Sequence, residues 1–158
     1  MTAAVLELVA RASMLGHQGD RAAARALLAE AWAATADGPA VLRCAVAHAR
    51  ADVEDDPGDE RAWDERALAE ADVAAAEPPV AGLPPITALR PSLHLNLADV
   101  HRRLGDPVAA RAHVAHGRAA LAALPPDAPQ PHVAAALDRI ELPPPAVTPP
   151  GERYGDPR

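Results

Sequence analysis

The chain has 158 residues, a formal net charge of −7, no Phe and a single Cys. That acidic balance argues against general nucleic-acid binding, which needs a positive field, and one thiol excludes an intramolecular disulfide. No stretch approaches the roughly 20 apolar residues that span a bilayer, and no basic cluster precedes an apolar run near the start, so a cytoplasmic protein without membrane contact is expected.

The size fits one domain. Hydrophobic residues make up 49% of the chain, but Ala dominates them, and the only aromatics are Trp32, Trp63 and Tyr154. A core of Ala and Leu buries less area per residue than one with Phe and Ile, so stability must come from close helix contact. All 15 basic residues are Arg; GC-rich codon usage accounts for this, and no function is drawn from it.

Residues 3–17 predict a first helix, with Val5, Leu8, Val9, Ala12 and Leu15 on one apolar face. Gly19-Asp20 turns the chain: Gly takes the left-handed conformation that ends a helix, and Asp accepts from the free N–H groups that start the next. A second helix follows over 21–36, with Ala24, Leu27, Leu28, Ala31 and Trp32 inward. Asp37-Gly38-Pro39 makes the next corner, and 40–53 predicts the third helix, which holds Cys44 between Leu42 and Val46. There Cys44 reads as a small apolar packing group.

The acidic turn at 54–58 leads to Gly58-Asp59, with Asp59 expected to cap a helix over 60–76. Its carboxylates lack the spacing of a calcium loop. Residues 77–90 carry four prolines and a Gly and read as an inserted connection in preference to a binding loop. Helix is expected to resume at 91–104, with Thr87 available to cap an earlier start. Gly105-Asp106 and Pro107 begin a sixth helix over 107–123. A short helix over 131–141 is expected to cover the final hairpin, and the Pro-rich tail 142–158 is expected to be disordered.

The third pair of helices carries Asn96-Leu97-Ala98, Gly105-Asp106, Ala110 and Gly117. This pattern resembles a tetratricopeptide repeat, with His94, His101 and Val114 at its aromatic positions. The first hairpin is similar through Ala12, Gly19-Asp20, Ala24, Leu28 and Ala31. The second keeps Gly58-Asp59 and Ala67-Leu68 around a stretched corner. Phrases around Trp63 and Pro91 also look like those of small bacterial repeat proteins. The resemblance covers residues 3–124. It implies an all-α fold of three antiparallel helical hairpins stacked as a short right-handed superhelix over 1–124, with a capping helix in 125–141. It further implies a concave groove that binds a peptide or protein segment.

In that family the first helix of each hairpin lines the groove. Carried over by apolar pattern, His17, Arg50 and Arg103 fall at equivalent positions, Arg43 and Asn96 form a second pair, and Arg102 lies beside the first row. Such a row of donors suits an acidic or C-terminal carboxylate segment of a partner. The alternative is that these arginines are solvated or pair with Asp52, Asp56 and Asp99. The seven His residues raise a metal reading, but His94 and His101 sit at packing positions and His113 and His116 read as surface, so no metal or cofactor is expected. Trp32 and Trp63 read as packing anchors. No phosphate-binding, dinucleotide or nucleophile-elbow motif is present. Cys44 and His48, one turn apart, are a weak thiol–imidazole pair. The expectation is a non-catalytic adaptor or scaffold. The competing readings are a subunit that pairs with itself as a homodimer and a small metal- or thiol-dependent helical enzyme.

Overall fold

The computed structural model describes residues 1–143. Within them lie seven helices and no strand: α1 Thr2–His17, α2 Arg21–Ala34, α3 Ala40–Ala51, α4 Pro57–Ala74, α5 Ile86–Arg103, α6 Pro107–Ala122 and α7 Pro131–Asp138. The fold class is all-α, as the 3.6-residue periodicity implies. Most of the Pro-rich tail, from 144 onward, lies outside the described residues. Among the described residues no helix is long and apolar enough to cross a membrane.

Two of the three Gly-Asp corners form as expected. Gly19 has φ +88° and Gly105 has φ +77°, the left-handed region that a side chain disfavours. After each, Asp20 and Asp106 accept from the amides of Ala23 and Ala109, both at 3.0 Å. The third differs. Gly58 and Asp59 sit inside the first turn of α4, which starts at Pro57, and Asp56 is the cap, accepting from Gly58 N at 2.8 Å and Asp59 N at 3.1 Å. Pro suits the first helical position, where its missing N–H costs nothing, so Asp56-Pro57 outcompetes Asp59 as the start.

The helix after the Pro-rich connection also begins early, at Ile86, and carries Pro91 inside it. Pro91 is buried, so its packing offsets one lost helix bond. The connection itself is tied down. Val80 and Leu83 pack on Ala40, Val41 and Ala74, and the Glu77 carboxylate accepts from the Ala40 amide at 2.9 Å.

Helices pair as α1 with α2, α3 with α4 and α5 with α6; α2 meets α3, α4 meets α5, and α7 lies on α5 and α6. Three apolar clusters run along the array. The first joins Val5, Leu28 and Val46 from α1, α2 and α3. The second joins Cys44, Ala67, Ala71 and Leu93 from α3, α4 and α5. The third joins Ala98, Val114, Val133 and Leu137 from α5, α6 and α7. The first two link neighbouring helix pairs and the third seats α7 on α5 and α6, so no single cluster holds the whole array together. Trp32 and Trp63 meet edge to face, ring centroids 5.4 Å apart, anchoring α2 against α4.

Candidate functional site

An open cleft of about 920 Å³ runs along one side of the array. Its wall includes Arg21 at the start of α2, the turn between α3 and α4, Glu60 of α4, five residues of α5, and the α7 end through Arg139, Ile140 and Glu141. Four arginines line it, against six carboxylates from Asp52, Glu54, Asp55, Glu60, Asp99 and Glu141. The lining therefore carries an excess of negative charge.

Of the six residues carried over from the repeat resemblance, the structure brings Asn96, Arg102 and Arg103 to this cleft. His17 lines a smaller adjoining hollow that shares Arg21 and Asp52 with it, and its ring bonds to the Ser13 carbonyl at 2.7 Å. Arg43 and Arg50 lie elsewhere. Arg43 donates to Glu70 Oε1 at 2.9 Å and to the Thr35 carbonyl at 3.2 Å, with its guanidinium 4.3 Å from the Trp32 ring centre. Arg50 pairs with Glu54, donates to the Arg25 carbonyl at 2.9 Å and lies over Trp63. The expected continuous row of free donors is not what the structure holds.

The cleft arginines are also engaged. Arg102 bonds Asp99 at 2.7 Å. Arg103 bonds Asp99 at 2.9 Å and also pairs with Glu60 of α4. The bond from Glu60 raises the Arg103 pKa, and Asp99 adds to it. Burial disfavours the Asp99 charge, but Arg102 and Arg103 outweigh it and hold Asp99 below the ordinary carboxylate range.

Beneath the cleft floor lies a polar network. Asn96 donates to Asp52 at 3.0 Å and to Asp64 at 3.5 Å, and His48 Nδ1 lies 3.6 Å from Asp64. Asp64 is fully buried, and its Oδ2 has no hydrogen-bond partner. Burial raises its pKa, partly offset by His48 and Asn96. Burial opposes charge on His48 too, but the carboxylates of Asp64 and Asp52 prevail and raise its pKa. The thiol of Cys44, one turn away, is pushed up to about 12 by burial and then by Glu70. His48 thus serves the carboxylates, and Cys44 stays a protonated packing group.

A second constellation lies where α5 faces α6. His94 and His101 are buried, as their packing positions imply. Of His113 and His116, both expected at the surface, His116 is exposed and His113 half-buried, and both rings lie beside His94. His94 Nδ1 and His113 Nδ1 are 3.1 Å apart, and the His94 and His116 ring centres are 5.3 Å apart. His94, His113 and His116 present ligand nitrogens all within 4.8 Å of one another. The i,i+3 spacing on α6 was legible in the sequence; the third ring arrives only through the register of α5 against α6.

No protein-family model matches the chain, and no curated protein or solved structure matches it either.

Proposed function

We propose that the chain is a non-catalytic interaction module, built from stacked helical hairpins in the manner of tetratricopeptide repeats, whose polar cleft receives a segment of a partner protein. The observation that carries this reading is the cleft itself: one open surface touching elements of all three hairpins and α7. Its volume lies at the upper end for small-ligand sites and suits an extended segment. The pairwise order of helix contacts supports the repeat-like arrangement. Burial raises the Cys44 thiol to about 12, which supports a packing role for it over a nucleophilic one.

The chemistry of the segment follows from the lining. Arg21, Arg102 and Arg103 already hold carboxylates of this chain, and carboxylates outnumber arginines in the lining. A segment bearing Arg or Lys fits that balance better than the acidic one inferred from helix spacing. Selection from a displayed peptide library tests this. Enriched peptides are expected to be cationic and to lose at least about tenfold in affinity on the double change Asp52→Asn and Glu141→Gln. Glu30→Gln, on α2 outside the cleft, removes charge without touching the lining and is expected to change little. Enrichment of acidic peptides, or equal loss with Glu30→Gln, would refute the assignment.

A further inference from the structure

We propose that His94, His113 and His116 form a binding site for a divalent transition-metal ion of the zinc class, with the remaining coordination position open to solvent. The cluster stands apart from the polar cleft, with which it shares no lining residue.

Two nitrogens on a tetrahedral zinc, each about 2.0–2.1 Å from the metal, lie about 3.3–3.4 Å apart. His94 Nδ1 and His113 Nδ1 are already 3.1 Å apart, so an ion fits between them once the donating ring carries its proton on Nε2 instead. His116 lies one turn along α6 on the same face, and its nitrogen falls within 4.8 Å of the other two. A small side-chain rotation closes the set. All three donors are imidazoles, a set suited to zinc, copper or nickel and not to magnesium or calcium.

The surroundings fit an ion. The three rings line an open cleft of about 450 Å³ with Leu68, Asp72, Arg90 and Ala119. That leaves room for water at the fourth position. The nearby Arg90 cation is held by Asp72 at 2.6 Å, so its charge is locally balanced. Behind the three rings His101 stacks on His113 at 15° between ring planes, which fixes the orientation of that ligand. Bound metal would staple α5 to α6.

The test uses the tag-free full chain, stripped with a chelator and titrated with Zn²⁺ by calorimetry and with Co²⁺ by visible absorption. About one equivalent is expected at micromolar affinity or tighter, with the intense bands of four-coordinate Co²⁺ and a higher melting temperature with Zn²⁺. His116→Ala changes an exposed side chain and should fold; with His113→Asn it is expected to weaken binding at least about tenfold and to abolish the thermal shift. His132→Ala, on α7 away from the cluster, is expected to bind as the parent does. No saturable binding by the parent chain, undiminished binding by His116→Ala, or equal loss with His132→Ala would overturn the site.

Discussion

Glu77 caps a helix that begins 37 residues before it: its Oε2 accepts from the Ala40 amide at 2.9 Å. The first turn of α3 has no side-chain cap of its own, because Pro39 occupies the capping position. The carboxylate also sits at the positive end of the helix dipole. Glu77→Ala is therefore expected to destabilise the fold by about 1 kcal/mol, and Glu77→Gln by less, since an acceptor remains. Urea denaturation midpoints of both variants check the order. An unchanged midpoint for Glu77→Ala would mean that the connection is held by Val80 and Leu83 alone.

Cys44 provides a reactivity prediction. Its pKa of about 12 leaves almost no thiolate near neutrality. Alkylation of the native protein at about pH 8 is expected to run about a thousandfold slower than in denaturant. Mass spectrometry of timed iodoacetamide reactions reads this directly. Comparable rates in the two states would show that α3 opens frequently enough to expose the thiol.

The His48–Asp64 pair predicts a pH dependence with a definite sign. The folded-state pKa of His48 lies above its unfolded value, so its charge adds stability that is full below about pH 6.5 and fades as pH rises through the folded value. Asp64, raised chiefly by burial, acts in the same sense. His48→Gln is expected to cost about 1–2 kcal/mol near pH 5.5, with a smaller deficit near pH 9. Denaturation of parent and variant at both pH values measures the difference. A deficit that grows with pH would reverse the assigned direction.

Much of the helical framework could be read from the sequence, because apolar spacing and capping chemistry are local. The corners at Gly19 and Gly105 needed only neighbouring residues to specify them. At the start of α4 two Asp caps compete within four positions, and at the start of α5 Pro91 reads as an opening residue while its burial lies in tertiary structure. The candidate site was less legible for the same reason. The repeat resemblance assigns Arg43 and Arg103 positions on their own helices, yet their partners Glu70 and Glu60 come from α4, 27 and 43 residues away. Nothing local says which carboxylate will arrive. The imidazole cluster likewise depends on how α5 and α6 slide past one another, which only the folded register fixes.

That register has an unusual keystone in Gly117. A methyl group there would come within 3.0 Å of Leu137 on α7 and 3.4 Å of the His94 Cβ on α5. Three helices meet at a point where this chain has placed no side chain at all. The seating of the terminal helix and the spread of the histidine rings are therefore geared together: whatever lifts Leu137 from its notch also frees His94 to drift from its two companions.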